Sequence, residues 1–174
     1  ELGERAMVAS AVGQEHAREE NVSSLKTEWG SIETANAFNV IEIINSGSYG
    51  YVYKVSKKDS GLLFAVKGMN KTYKTAEKTK HQLWELTIMK GLSGKHPHIM
   101  SLIGWRETAF DLQLFMPLYR RNLRQYINNS RVQAKTGKVI ISQLCSAVAY
   151  LHGRSILHRD IKPQNVMTQD QPLA

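Results

Sequence analysis

Cysteine is almost absent from this chain of 174 residues: Cys145 stands alone. No internal disulfide can form, which fits a protein built for a reducing compartment. In its apolar helical stretch Cys145 is expected to fill core rather than to act as a reactive thiol. No apolar run approaches the roughly 18 residues of a membrane-spanning helix, and the N-terminus lacks the apolar region of a signal peptide. An intracellular location, cytoplasmic or nuclear, with no membrane partner, is the expectation. The first residue is Glu1 rather than Met, which suggests a processed or clipped N-terminus. Internal repeats and low-complexity tracts are absent as well.

Acidic residues are missing from one long interval. None occurs between Asp111 and Asp160, where Arg120, Arg121, Arg124, Arg131, Lys135, Lys138, Arg154 and Arg159 all lie. Together with a net charge of +8, this gives two readings. One is a surface at 120–138 for an acidic or phosphorylated partner. The plainer one, which we favour, is a solvated helix face whose acidic complement lies in sequence not present here. No zinc-ligand pattern or aromatic RNA-binding signature accompanies the charge, so nucleic acid is the disfavoured partner. Hydrophobic content of 42% and charged content of 22% are those of an ordinary folded domain.

Residues 1–36 are rich in Ala, Glu and Ser with weak hydrophobic patterning, and read as a flexible N-terminal extension with short helical pieces. From Phe38 the pattern changes. Strands are expected at 38–44, 51–56 and 62–67, the last two joined by a turn at Lys57–Gly61. A helix is expected over 76–92, with Trp84, Ile88 and Leu92 repeating every four positions and Leu83, Leu86 and Met89 widening the apolar stripe. Gly91 and Gly94 help to end it. Two more strands are expected near 99–106 and 112–116, then helices over 123–128 and 138–152, the second closed by Gly153. Five strands with one inserted helix, followed by helices, make an α+β arrangement of two lobes.

Near the C-terminus, His158-Arg159-Asp160-Ile161-Lys162-Pro163-Gln164-Asn165 sets one carboxylate and one amide five residues apart. This segment resembles the catalytic loop of protein kinases, H-R-D-x-x-x-x-N. The resemblance implies phosphoryl transfer from ATP, with Asp160 accepting the substrate hydroxyl proton, Asn165 holding Mg2+ and Lys162 steadying the γ-phosphoryl charge. It also implies that His158 packs beneath the site, that Arg159 awaits a phosphate or acid on an activation loop, and that Met167 floors the adenine pocket. The Lys-Pro pair at 162–163 is more similar to serine/threonine than to tyrosine kinases.

Earlier segments supply the partners such a loop needs. Ile44-Asn45-Ser46-Gly47-Ser48-Tyr49-Gly50-Tyr51-Val52 is similar to the family's Gly-rich loop, with Asn45 in place of the first glycine. Glycine lets backbone N–H groups approach phosphate oxygens because no Cβ intervenes. Asn tolerates left-handed backbone angles, so Asn45 can substitute there. By itself the segment reads equally well as a plain turn. Ala65-Val66-Lys67 resembles the V-A-I-K element, whose lysine pairs with the α- and β-phosphates. Strand alternation puts Ala65 and Lys67 on one face, with Val52 and Ala65 roofing the adenine; the plain alternative for Lys67 is an exposed strand lysine. The carboxylate that holds this lysine is expected to be Glu85, because a glutamate on an apolar helix face is costly unless paired. Glu77 is the runner-up. Residues 112–119 match the last strand and hinge, with Met116 as gatekeeper and the backbone of Pro117, Leu118 and Tyr119 meeting the adenine. Many kinases place a carboxylate near Asn122 for the ribose; here it is an amide. An ordinary buried strand running into a helix fits 112–118 equally well.

The resemblance covers about Phe38 to Met167 and implies a protein-kinase-like fold. The expected domains are the extension 1–36, an N lobe over 37–116 made of a five-stranded antiparallel sheet and one helix, and a hinge with a partial C lobe over 117–174. No D-F-G segment, with its second Mg2+ ligand, occurs in the chain. Met89 and His158 would stack on its phenylalanine. The expectation is therefore a fragment of a serine/threonine kinase acting on protein substrates with ATP and Mg2+, inactive by itself. The alternatives are a pseudokinase or nucleotide-binding scaffold, and a basic interaction module.

Overall fold

A computed structural model describes residues 8–9, 37–47, 50–71, 76–108, 110–129 and 132–168, with the side chains of 8–9, 47 and 76–80 outside the description. These residues form two units. One comprises 37–90 and 101–118, the other 8–9, 91–100 and 119–168. The division therefore falls near the end of a helix as well as between Leu118 and Tyr119.

In the first unit, β-branched and aromatic residues between glycine turns give strands β2 (Phe38–Gly47), β3 (Gly50–Lys57), β4 (Leu63–Asn70), β5 (Gly104–Glu107) and β6 (Asp111–Pro117). They make one antiparallel sheet in the order β2-β3-β4-β6-β5. The turn expected at Lys57–Gly61 is present, with Gly61 at φ +68 and its N–H donating to the Lys57 carbonyl at 2.7 Å. The expected strand from residue 99 is shorter. Ile99, Met100, Leu102 and Ile103 are buried without joining the ladder as strand, and pairing proper begins at Gly104.

Register sorts the side chains. Val55 faces Phe64, and Val66 faces Phe115. These four and Ile103 form a buried cluster flanked by Phe38, Tyr53 and Leu62. The Phe38 ring sits 4.9 Å from that of Phe115 and 6.0 Å from that of Phe64. Burying each large apolar side chain is worth roughly 1.5–3 kcal/mol, so this cluster is the main tie between β3, β4 and β6.

Helix α1 (Ala76–Leu92) joins β4 to the loop before β5. Its buried stripe is Glu85, Leu86, Met89 and Leu92, whereas Trp84 is 61% and Leu83 50% exposed. The sequence periodicity placed Trp84 and Leu83 inside. The helix is instead rotated by the need to bring Glu85 to the sheet, which turns positions 83, 84 and 87 outward. Lys90 lies over the Trp105 ring at 5.4 Å, and Gly94, at φ +66, ends the last turn.

The second unit contains β1 (Val8–Ala9), β7 (Arg121–Asn122), α2 (Leu123–Asn129), α3 (Ala134–His152) and β8 (Val166–Thr168). β8 pairs in parallel with β1 and antiparallel with β7. Apart from Val8 and Ala9, the N-terminal extension lies outside the described residues. On α3 the buried residues are Ile140, Ala147 and Leu151. Cys145 is exposed, not core filling as expected, because it falls on the far side of that stripe. α3 ends at His152 with Gly153 as its cap, as expected. Gly153 is right-handed at φ −60, and Ser155 takes the left-handed turn at φ +59. No helix among the described residues is long and apolar enough to cross a membrane.

Candidate active site

On the sheet face opposite the aromatic cluster, ladder pairing sets Asn45 beside Val52, Val52 beside Lys67, Lys67 beside Leu114 and Leu114 beside Trp105. One step along, Ala65 pairs with Met116. Strand alternation thus gathers Asn45, Val52, Ala65, Lys67 and Met116 on one face; the sequence led us to expect this of Ala65 and Lys67. Met116 is buried at 2% exposure. Pro117 still belongs to β6, paired with Phe64, and Leu118 and Tyr119 follow it half-buried.

From this face Lys67 Nζ donates to Glu85 Oε1 at 2.6 Å, with side-chain exposures of 13% and 8%. Glu85 is one of the few buried charged residues, and its pairing explains how an apolar helix face tolerates it. Glu77, the other candidate, lies in the part of α1 whose side chains are outside the description.

The glycine-bearing turn closes with Gly47 opposite Gly50; Ser48 and Tyr49 lie outside the described residues. Gly50 has φ +121, and a Cβ there would stand 2.0 Å from the Gly68 carbonyl oxygen. Only glycine can begin β3 so close to β4. Gly68 was not singled out from sequence, although a glycine inside a strand signals a close backbone approach. Asn45 needs no left-handed geometry. Among the described residues only Ser155 and Arg159 combine positive φ with a side chain, and β2 adjusts through an irregularity between Ile43 and Asn45.

In the second unit, the loop 158–165 builds a network around Asp160. Asn165 Nδ2 donates to the Asp160 carbonyl at 2.9 Å and to its Oδ2 at 2.7 Å. Lys162 Nζ stands 3.1 Å from the same Oδ2. Buried His158 accepts the Asp160 N–H through Nδ1 at 3.2 Å. Pro163 opens a 3-10 turn over Pro163–Asn165, and the Asn165 N–H donates to the Lys162 carbonyl at 2.9 Å. Proline's fixed φ favours this turn, which delivers Asn165 back to Asp160. Arg159, between His158 and Asp160, holds φ +63, a strained angle of the kind that clusters at functional sites.

With Nδ2 committed to Asp160, the Asn165 amide has Oδ1 left as its ligand atom. Among the described residues no three His, Cys, Asp or Glu side chains gather to hold a metal. A hard cation here would take the Asn165 carboxamide oxygen and complete its shell with phosphate and water, the usual way magnesium is held. The residues present fit such an ion.

Met167 follows in β8, paired with Asn122. The Asn122 side chain is occupied: its Oδ1 accepts the Gln125 N–H at 2.9 Å, and Gln125 Oε1 accepts the Asn122 N–H at 2.9 Å. This reciprocal cap starts α2. The N-x-x-Q spacing at 122–125 could have revealed it.

Residues 38–173 match the family described as "Protein kinase domain". Serine/threonine-protein kinase fused of Drosophila melanogaster is 33% identical over 133 residues, which cover 76% of this chain and 16% of that protein. Serine/threonine-protein kinase ULK3 of Homo sapiens is 33% identical over 142 residues, 80% of this chain and 29% of that one. Cyclin-dependent kinase B2-1 of Oryza sativa subsp. japonica is 26% identical over 164 residues, 85% of this chain and 48% of it. The chain thus spans less than half the length of each of these relatives. Its sheet, its catalytic-loop sequence and these matches agree: the chain belongs to the eukaryotic-type serine/threonine protein kinase family.

Proposed function

We propose that these residues form the nucleotide-handling part of an enzyme that transfers the γ-phosphoryl group of ATP to serine and threonine hydroxyls of protein substrates. The observation that carries this reading is the convergence of Lys162 and Asn165 on one carboxylate oxygen of Asp160. In water a carboxylate held this way gains little. In phosphoryl transfer, where catalysis is positioning and electrostatics, such a fixed trio is what the chemistry requires.

Each residue then has a part. Lys67, steered by Glu85, meets the α- and β-phosphates. Gly47, Ser48 and Gly50 offer backbone N–H groups to the phosphates, with Asn45 at the entry to the turn. Val52 and Ala65 cover the adenine, Met167 floors it, Met116 backs it, and Pro117, Leu118 and Tyr119 present backbone groups to its edge. Asp160 accepts the proton of the incoming hydroxyl, and Lys162 stabilises charge on the transferred group. Asn165 would hold Mg2+, which when bound neutralises phosphate charge. Asn122 Oδ1 is committed to its cap, which leaves its Nδ2 for any contact with the ribose.

The domain limits are proposed as an extension over 1–36, an N lobe over 37–116 and a hinge with the start of a C lobe over 117–174. We place the protein in the cytoplasm or nucleus. The exposed Arg120, Arg124, Lys135 and Lys138 are read first as a solvated face, and second as a surface for acidic or phosphorylated partners. Residues 1–174 contain one of two expected metal ligands, so by themselves they should give no measurable phosphotransfer; turnover that Asp160→Asn abolishes would refute that. The enzyme reading is tested in the full-length gene product, where Lys67→Met should remove most phosphotransfer. ATP binding without transfer in the unaltered protein would favour the scaffold reading instead.

A further inference from the structure

The loop after α1 is fastened to α3 through a histidine that none of the chemistry above uses. His96 Nδ1 accepts the His98 backbone N–H at 3.1 Å, and its Nε2 lies 3.1 Å from Ser146 Oγ on α3. The ring also rests against Tyr150 of α3 at 4.9 Å and against the His98 ring at 5.5 Å. Because Nδ1 accepts a hydrogen bond it carries no proton, so the neutral ring has its proton on Nε2 and donates it to Ser146. Geometry alone therefore sets the tautomer and the charge.

A second proton would have to go onto Nδ1. It would break the His98 bond, turn an acceptor toward a donor and strand that amide. Of the groups around the ring, His98 and Arg154 oppose the added charge. His98 stands on the loop itself, Tyr150 and Ser146 on α3, and Arg154 just beyond α3, its guanidinium 3.5 Å from the Tyr150 ring. Lys95 is the other charged residue of the 93–100 loop, and no carboxylate occurs from 112 to 159. Tyr150 could offer its ring to a charged imidazole, but Arg154 already takes that cation–π role. Burial, with His98 and Arg154, holds the His96 pKa below its usual value.

We propose that His96 is a proton-sensitive latch: neutral, it pins the 93–100 loop to α3, and protonation releases that loop. The loop is the direct continuation of the helix that carries Glu85, so release frees that helix's C-terminal end. The sign is fixed. A histidine whose folded pKa is depressed holds the closed form fully above the ordinary histidine value and loses it as pH falls through the folded one. The proposal does not depend on the phosphotransfer reading.

The test combines an NMR titration of the His96 ring with amide hydrogen exchange of residues 96–100, using the Leu114 amide as internal reference for global unfolding. Below about pH 6.5 the loop's opening constant should rise by up to about tenfold per pH unit, while the Leu114 reference does not follow. In His96→Asn, whose Oδ1 can still accept the His98 N–H but which cannot reach Ser146, the loop should open more readily at neutral pH and the slope should vanish. A His96 ring that titrates at or above the ordinary value overturns the proposal. So does an unchanged slope in His96→Asn, or a slope lost instead in His98→Gln. If His96→Asn fails to fold, the ring titration of the unaltered chain decides by itself.

Discussion

Replacing Lys67 by Met should destabilise the sheet unit far more than the loss of one exposed ion pair. Exposed pairs are worth about 0–1 kcal/mol. Here the partners are only 13% and 8% exposed, and removing one member of a buried pair costs about 3–5 kcal/mol because the other is left charged and unpaired. We therefore expect about 3 kcal/mol for Lys67→Met. Lys67→Met combined with Glu85→Leu should recover most of it, because an apolar pair of similar volume is often neutral or better than the ion pair. The assay is urea unfolding followed by tryptophan fluorescence, with both single variants and the double variant closing a cycle. A loss under about 0.5 kcal/mol for Lys67→Met, or additive single effects, would refute the claim that this pair is buried and coupled.

Three further outcomes follow from the geometry. Gly50→Ala meets both a left-handed φ and the Gly68 carbonyl at 2.0 Å, so it should cost at least 1–3 kcal/mol by the usual scale of backbone strain; thermal melting unchanged from the parent would contradict it. Phe115→Ala empties the centre of the aromatic cluster and should cost about 3–5 kcal/mol, read from urea midpoints, whereas Trp84→Ala on the exposed face of α1 should stay within about 0.5 kcal/mol. Asn122→Ala removes the α2 cap, so the α2 amides should exchange faster by an amount equivalent to about 1 kcal/mol, with no change at Leu114.

Much of the sheet and its chemistry was legible because strand alternation is a local rule. Once Lys67 is placed on β4, the period of two puts Ala65 on the same face, and antiparallel pairing brings Val52 and Met116 beside them. The Glu85 assignment followed from the resemblance of residues 83–90 to the family's helix and from the cost of an unpaired carboxylate among apolar neighbours, with Glu77 as the runner-up. What escaped was rotation and packing. The apolar pattern of α1 is nearly all-round, so periodicity could not say that Trp84 faces out; only the demand of Glu85 fixes that. Cys145 was misjudged for the same reason on α3. Gly153 does end α3 as its cap, but the left-handed turn two residues later at Ser155 has no signal in the sequence. The two-residue strands β1 and β7 are too short for any periodic signal. Asn122 was read for ligand chemistry when its spacing to Gln125 already described a helix cap.

The claim at the centre of this account is that Asp160 takes the hydroxyl proton during phosphoryl transfer. The most direct measurement is radiolabelled γ-phosphoryl transfer from ATP to a protein substrate by the full-length gene product, compared with its Asp160→Asn form and followed by phosphoamino-acid analysis. Phosphoserine and phosphothreonine should form, and the rate should fall by about 100- to 10,000-fold in the variant while ATP binding is retained. Equal rates in the two proteins would contradict the role assigned to Asp160. ATP binding without transfer by the unaltered protein would contradict the enzyme reading as a whole.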